Sequence, residues 1–369
     1  MTDNSVIEMH DTWLVINSII GCTNGCKYCF LQAKNQNISK PQIKVSEKEA
    51  VNQLLNYKYY EPNIPVCLLP NTDPFLNETN IKYLQNLLKL LSDYKITNPI
   101  TIITKCLIPD YFISYLQKLK KDNLKIIIYL SFSGLSKELE PNINDQNIKN
   151  NFQKLSQANI PIIHYFRPFI PQNSNPEKIT EILNFVNKYT DISVITGLKI
   201  KQDFVDKINF WDYISTNKTQ CINSSGIWPR EAYDFFYKNY HHSQKIYQIN
   251  SCALAAKLNL PNESFYNTKE CLNYNHCSDH QRKKCLLAKK TNEPVETKLI
   301  ALLKKINKYN PNLVIIKKDN SLVLKNIDLT TGDVSYLTFM LGYKITIAAK
   351  LIDDNYFNSS YTNAESIII

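Results

Sequence analysis

Three cysteines stand close together in the stretch IIGCTNGCKYCFLQ, residues 19–32. Cys22, Cys26 and Cys29 follow an apolar run, and Tyr28 directly precedes the last of them. A disulfide joins two sulfurs, and a structural zinc site usually has four ligands. Three thiolates can instead bind three corners of a [4Fe-4S] cube and leave one iron open for chemistry. The alternative is a zinc loop that a distant His completes.

Four further cysteines lie nearer the C-terminus: Cys252, Cys271, Cys277 and Cys285. Their spacing is C-x18-C-x5-C-x7-C, and two histidines, His276 and His280, are interleaved with them. Four soft ligands can close a zinc site or hold an auxiliary [4Fe-4S] cluster. The spacing leaves three interpretations open, namely a second cluster, a zinc ion, or cysteines that bind no metal.

The composition is that of a globular protein, with 44% hydrophobic and 21% charged residues. The formal net charge of +10 favours polyanionic partners such as nucleic acid, although many enzymes carry such a charge without binding any. The beginning MTDNSVIEMHD is polar and acidic, unlike a signal or transit peptide. No apolar run is long enough to span a bilayer, so we expect a cytoplasmic protein without a membrane partner.

From residue 13 to about residue 202, short apolar runs alternate with helical patterns. WLVINSII is the first predicted strand, and SEKEAVNQLLNYK is the first predicted helix because its Ser N-cap is followed by Glu three residues later. About six such units follow one another, and strands that are apolar throughout are typical of a parallel sheet buried on both faces. The alternation predicts an α/β fold, either a doubly wound sheet or a βα barrel.

Polar residues end five successive predicted strands, where functional groups collect in both folds. Burying such groups is costly unless they have partners, so their succession indicates the lining of a site. The cysteine loop follows the first strand, and six polar residues follow the next four strands: Thr72, Asp73, Lys105, Ser131, Ser133 and Arg167. His164 lies inside the fifth strand, where a hydrogen-bonded core histidine is expected rather than a catalyst.

The alternation fades after about residue 205, and three units are predicted: a core over 1–205, a Cys-rich extension over 206–295 and a small α+β domain over 296–369. The last unit has a helix pattern in VETKLIALLKKINKY, a hairpin in NLVIIKKDNSLVLKNI, a helix near 331–341 and a strand in KITIAAKLI.

The spacing C-x3-C-x2-C, with Tyr28 before the last Cys, resembles the defining motif of the radical S-adenosylmethionine (radical SAM) superfamily. Five segments are similar, in order along residues 13–200, to signatures of its spore photoproduct lyase-like group, also called DNA repair photolyases: CKYCFLQ, NTDPF, ITKCLIPDYFISYL, LSFSGLSKELEPN and IPIIHYFRPFIP. The resemblance implies an α/β core that is a partial (β/α)6 TIM-type barrel.

The resemblance also implies cofactors. Cys22, Cys26 and Cys29 would bind a [4Fe-4S] cluster, and S-adenosyl-L-methionine (SAM) would chelate the open iron. One electron, delivered by a flavodoxin- or ferredoxin-type donor, would split SAM to a 5′-deoxyadenosyl radical that abstracts hydrogen from the substrate. Lys105 would pair with the SAM carboxylate, Arg167 would face that carboxylate or the substrate, and four residues would contact SAM by hydrogen bonds: Thr72, Asp73, Ser131 and Ser133.

One departure concerns the substrate. Spore photoproduct lyase has a cysteine just ahead of its Thr/Ser-Asp pair, where this chain has Pro70 and Asn71. This argues against thymine-dimer repair, unless Cys67 or a tyrosine donates the hydrogen. We therefore expect a radical SAM enzyme, of lyase or transferase type, with a nucleic-acid or nucleotide substrate such as DNA or RNA. The alternatives are a peptide maturase and a non-catalytic iron–sulfur protein that binds nucleic acid or senses redox state.

Overall fold

The computed structural model describes residues 5–29, 31, 40–198, 222–223, 226–227, 235, 238–240, 244–262, 277–288, 294–318 and 321–348. Twelve strands precede residue 248 in this part of the chain: β1 (Ile7–Met9), β2 (Leu14–Ile16), β3 (Ile19–Ile20), β4 (Gln42–Ile43), β5 (Val66–Leu68), β6 (Ile100–Thr104), β7 (Ile126–Leu130), β8 (Ile162–Phe169), β9 (Ile192–Gly197), β10 (Ile222–Asn223), β11 (Gly226–Ile227) and β12 (Lys245–Tyr247).

Eight of these strands form one sheet in the order β1-β2-β5-β6-β7-β8-β9-β12. β1 is antiparallel to β2, and every other neighbouring pair is parallel. The strand order follows the chain from β1 at one edge to β12 at the other, as in a partial TIM-type barrel of the α/β class, which the family resemblance implies. β3 pairs with β4 and β10 with β11 in two small antiparallel sheets.

Five helices connect the strands from β4 to β9: α1 (Glu47–Leu55), α2 (Glu78–Asp93), α3 (Asp110–Lys121), α4 (Asp145–Gln157) and α5 (Pro176–Val186). Four of them begin after a residue whose side chain accepts a hydrogen bond from a backbone N–H of the first turn: Ser46, Asn77, Asn144 and Asn175. Such N-caps satisfy donors that the helix itself leaves unpaired, so they fix where each helix begins.

The sheet is buried on both faces. Successive side chains of a strand point to opposite faces, so Leu14 and Ile16 pack toward the helices while Val15 faces the barrel interior. Cys67 and Tyr129 share that interior with Val15. The continuous apolar runs of the sequence therefore correspond to the two-sided burial that they predict.

The sheet extends further along the chain than the sequence indicates. β12 lies parallel to β9, with Tyr247 opposite Val194, and is followed by α6 (Asn250–Leu258). No strand is predicted here, because KIY is only three residues long and its surroundings are polar. α7 (Asp279–Leu287) follows. The division at residue 205 stays a prediction, because residues 199–221 lie outside the described part of the chain.

The predicted helix, hairpin, helix and strand are present near the C-terminus: α8 (Val295–Lys305), β13 (Val314–Lys318), β14 (Ser321–Lys325), α9 (Thr331–Leu341) and β15 (Lys344–Ile347). β14 pairs antiparallel with β13 and parallel with β15. This unit packs against the barrel: Tyr59 Oη donates to Asp333 at 2.5 Å, and Ser335 Oγ donates to Asp11 at 2.7 Å. Within the described residues, no helix is both long and apolar enough to cross a membrane.

Candidate active site

A cavity of about 310 Å³ lies where the barrel strands reach their carboxyl ends. The cysteine loop, the ends of β5 to β9 and the residues after β12 contribute to its wall. Eight of the residues that the sequence analysis selects line it: Cys22, Cys26, Cys29, Thr72, Asp73, Lys105, Ser131 and Arg167. Ser133 is not among the lining residues.

The cysteine loop is held by the turn at residues 139–142, which follows β7. Lys27 N donates to Leu139 O at 3.0 Å, and Asn142 Nδ2 donates to Thr23 O at 2.8 Å. Gly25 has a φ of +69°, and a Cβ at this position would lie 3.2 Å from Cγ of Pro141. The loop therefore needs glycine here, both for its left-handed backbone and for its close approach to the turn.

The three thiols are largely withdrawn from water. Burial, and next the Asp73 carboxylate, raise the pKa of Cys22 to about 12. Burial likewise raises the pKa of Cys26 to about 12 and that of Cys29 to about 11. The thiols are thus protonated at neutral pH in the metal-free chain, and metal binding must release their protons.

The donor set fits a [4Fe-4S] cluster. Cys22, Cys26 and Cys29 are free cysteines that line one cavity, and cysteine thiolates are the usual ligands of such clusters. No three His, Cys, Asp or Glu side chains in the described ranges are grouped so that they could hold a metal ion. In a cubane each thiolate binds a different iron, so the three ligands need not converge on one ion.

Asp73 is fixed by donors from neighbouring strand ends. Its carboxylate accepts from Thr104 Oγ1 at 2.7 Å, from Lys105 N at 2.8 Å and from Phe75 N at 3.0 Å. Thr72 Oγ1 accepts from Asn80 Nδ2 at 3.1 Å. Asp73 thus ties the ends of β5 and β6 together beside the cysteine loop, a role that reading single strand ends cannot reveal.

Lys105 has a buried partner that the sequence analysis does not select. Its Nζ lies 2.8 Å from Oε1 of Glu140. Burial alone would lower the pKa of Lys105, but the Glu140 carboxylate outweighs this effect and the pKa is raised. Glu140 also accepts from Ser133 Oγ and from Tyr28 Oη, so Ser133 supports this ion pair and does not face the cavity. The signal for Glu140 in the sequence is the Leu-Glu-Pro triplet near the end of the segment resembling the family, LSFSGLSKELEPN.

Arg167 lies on the cavity wall at the end of β8. Its Nη1 donates to Tyr165 Oη at 2.6 Å, and its guanidinium lies 5.7 Å from the centroid of the Tyr165 ring. Ser131 Oγ donates to Arg167 O at 3.4 Å. Within the described residues Arg167 has no carboxylate within ion-pair distance, in contrast to Lys105. It is therefore positioned to receive an anionic group.

A second wall of the cavity consists of residues that were not predicted from the sequence. Glu8, His10 and Asp11, from the β1–β2 hairpin, line it together with Gln248 and Asn250, which follow β12. These residues belong to the two edges of the sheet, so only the topology shows that they face one space. Hydrophobic periodicity gave no signal for them.

The second cysteine group lies elsewhere. Cys252 and Cys285 are buried, and both sulfurs accept hydrogen bonds from Asn262, from its Nδ2 at 3.2 Å and its backbone N at 3.3 Å, respectively. Cys277 is partly buried. Cys271 and His276 lie outside the described residues. His280 Nε2 lies 3.3 Å from Asn259 Oδ1 on the surface.

Two further residues have core positions. His164 is fully buried, its Nδ1 lies 2.8 Å from Ser193 Oγ and its Nε2 lies 2.9 Å from Phe132 O. The prediction of a satisfied core histidine is confirmed. Cys67 is fully buried inside the barrel and does not line the cavity.

Comparison with known proteins agrees with this arrangement. Residues 16–186 match the family described as the Radical SAM superfamily. A mutant of spore photoproduct lyase with a dinucleoside spore photoproduct is 10% identical, with a TM-score of 0.50 over 68% of this chain and 80% of that one. Streptococcus suis SuiB bound to S-adenosylmethionine is 17% identical, with a TM-score of 0.43 over 63% of this chain and 48% of that one.

A radical SAM methyltransferase from Sphaerobacter thermophilus is 13% identical, with a TM-score of 0.42 over 63% of this chain and 64% of that one. No curated protein sequence matches. The family match spans the strands that carry the three cysteines, Asp73, Lys105 and Arg167. Residues 16–186 therefore form a radical SAM domain, as part of an enzyme whose barrel has the fold of spore photoproduct lyase.

Proposed function

We propose that the chain binds a [4Fe-4S] cluster through Cys22, Cys26 and Cys29 and acts on a nucleic-acid or nucleotide substrate. When bound, the cluster supplies one electron that splits SAM into methionine and a 5′-deoxyadenosyl radical, and the radical becomes 5′-deoxyadenosine by taking a hydrogen atom from the substrate. The observation that carries this proposal is that the three thiols and Arg167 line the same cavity.

Different residues of the cavity would have different roles in binding SAM. Arg167, which has no carboxylate partner in the described part of the chain, would bind the carboxylate of SAM or a phosphate of the substrate. Ser131 would hydrogen-bond SAM, while Thr72 and Asp73 fix the adjacent strand ends. The charge of Lys105 is already compensated by Glu140, so Lys105 would contribute to SAM binding through this ion pair.

Two observations support a nucleic-acid or nucleotide substrate. The net charge of +10 favours a polyanion, and the barrel has the fold of a lyase that is known with a dinucleoside spore photoproduct. The burial of Cys67 away from the cavity wall argues against this thiol as a direct hydrogen donor to such a lesion. The proposal is therefore hydrogen abstraction from this substrate class, without the repair reaction itself.

A peptide substrate is the second candidate, and one feature of the C-terminal unit favours it. β13 and β15 are the outer strands of its described three-stranded sheet, and an extended peptide can add to such an edge. Ser335, on α9, contacts Asp11, which lines the cavity, so a peptide held by this unit would lie near the radical site. A merely redox-sensing protein would have no need of the polar lining.

The test is anaerobic reconstitution with iron and sulfide, followed by SAM and dithionite. We expect 5′-deoxyadenosine, and none from the variant with Cys22, Cys26 and Cys29 all replaced by Ala. Oligonucleotides and peptides labelled with deuterium then distinguish the substrates, because the substrate transfers its label to 5′-deoxyadenosine. An intact cluster that yields no 5′-deoxyadenosine would overturn the proposal. A flavodoxin or ferredoxin is the expected natural donor.

We also propose a second metal site, either a [4Fe-4S] cluster or a zinc ion, at Cys252, Cys271, Cys277 and Cys285. Asn262 donates to the sulfurs of Cys252 and Cys285, as donors commonly do to metal-bound thiolates. The same variant with the three N-terminal cysteines replaced tests the site. Retained iron indicates a cluster, zinc without iron indicates a zinc site, and the absence of both contradicts the proposal.

A further inference from the structure

Glu140 joins three parts of the active-site wall without facing the cavity itself. Its carboxylate accepts from Tyr28 Oη in the cysteine loop, from Lys105 Nζ after β6 at 2.8 Å and from Ser133 Oγ after β7 at 3.0 Å. The side chain is 2% exposed, and Glu140 is not among the residues that line the cavity. Any influence on the reaction must therefore pass through the residues that it holds.

The neighbours of Glu140 strengthen the connection to the loop. Leu139 O accepts from Lys27 N, Asn142 Nδ2 donates to Thr23 O, and Pro141 packs against Gly25. Four consecutive residues of one turn thus contact the loop between Cys22 and Cys29. The turn is itself closed, because Glu140 N donates to Ser136 O at 2.9 Å.

The charge of Glu140 matters as well as its geometry. Lys105 lines the cavity and influences Cys26 and Cys29 electrostatically. A buried ammonium without its carboxylate partner is costly, and it would be drawn toward the thiolates of the loop. Glu140 holds Lys105 at the end of β6 and compensates its charge.

We propose that Glu140 is a positioning residue for the iron–sulfur cluster. It fixes the cysteine loop through Tyr28 and restrains Lys105 beside the thiols. The inference rests on the proposed function only in that Cys22, Cys26 and Cys29 bind the cluster.

The test measures cluster loss from the full chain, reconstituted anaerobically and kept free of SAM. An iron chelator is added, and the loss of visible absorbance gives the rate. For Glu140→Gln and Tyr28→Phe we expect loss about tenfold faster than in the wild type, because each removes a charge-assisted hydrogen bond. Tyr83→Phe is the matched control, since Tyr83 Oη donates to Val45 O at 2.9 Å, away from the cavity, and its rate should be unchanged.

A second measurement separates positioning from general stability. Glu140→Gln leaves the Lys105 charge uncompensated, so the reduction potential of the cluster should rise, since added positive charge favours the reduced form. Adding Lys105→Met should return the potential toward the wild-type value while cluster loss stays fast, because the neutral glutamine oxygen still accepts from Tyr28 more weakly than the carboxylate does. A purely structural role would lower the unfolding midpoint of the metal-free chain without this pattern.

Three outcomes are decisive. Wild-type rates of cluster loss in both Glu140→Gln and Tyr28→Phe would overturn the inference, as would an unchanged potential in Glu140→Gln. A wild-type chain that holds the cluster but does not cleave SAM would overturn only the proposed function. A chain that binds no cluster would overturn both.

Discussion

The Nζ atom of Lys105 lies 2.8 Å from Oε1 of Glu140, and the two side chains are only 13% and 2% exposed. A pair this well buried lies in a low dielectric, where each charge depends on the other. The family resemblance implies that Lys105 pairs with the SAM carboxylate, whereas in the structure its partner is Glu140.

The ion pair of Lys105 and Glu140 should contribute measurably to the free energy of unfolding. Lys105→Met or Glu140→Gln alone should cost about 3–5 kcal/mol in the free energy of unfolding, because each leaves a buried charge without its partner. The double variant should recover most of that loss. Urea unfolding of the metal-free chain measures it. The exposed pair of Lys89 and Asp93 is the control, where Lys89→Met should cost about 0–1 kcal/mol. Additive losses in the double variant would contradict the interpretation.

Arg167 should carry a large part of the affinity for SAM. Arg167→Lys keeps the charge but loses the planar fork, so we expect the Kd of SAM for the reconstituted chain to rise about tenfold or more. Calorimetric titration measures this change. Arg282→Lys on α7, which does not line the cavity, is the matched control and should leave the Kd unchanged. An unchanged Kd in Arg167→Lys would assign Arg167 to the substrate instead.

His164 should make the fold sensitive to mild acid. Burial lowers the pKa of His164 to about 4 from its ordinary value of 6.5. Below pH 6.5 the unfolded chain takes up a proton that the folded chain does not, so stability present above pH 6.5 is lost as the pH falls toward 4. The loss should reach about 3 kcal/mol.

Urea unfolding at several pH values between 4 and 7 checks this prediction. His164→Gln should flatten the profile, because glutamine does not titrate. An unchanged slope in His164→Gln would show that other groups cause the acid sensitivity.

Asp73 should contribute to the stability of the fold as well as to the site. Asp73→Ala leaves the Thr104 hydroxyl and the Lys105 and Phe75 amides without their acceptor, and each buried orphan donor costs about 1–3 kcal/mol. Asp73→Asn keeps one acceptor oxygen and should lose less. Thermal unfolding of the metal-free chain ranks the two variants. Equal midpoints for wild type and Asp73→Ala would refute the bracing role.

The sequence predicts most of the barrel and most of its cavity wall. Apolar runs locate β2 and β5 to β9, and strand ends lead to Asp73, Lys105 and Arg167, because a parallel sheet brings its carboxyl ends together. Glu140 escapes this reasoning because it lies in a turn, and only tertiary contacts reveal its partners. β12 escapes it because three residues carry too little periodicity, and its place at the sheet edge depends on long-range pairing with β9.

The late position of β12 in the sequence has a consequence for folding during synthesis. β9 ends at Gly197, but the strand that covers its edge begins only at Lys245. During synthesis the cysteine loop and six parallel strands thus leave the ribosome before the strand that pairs with β9 has been made. Bare edges invite pairing between nascent chains. The sheet of this barrel is therefore completed only after Lys245–Tyr247 has been synthesised.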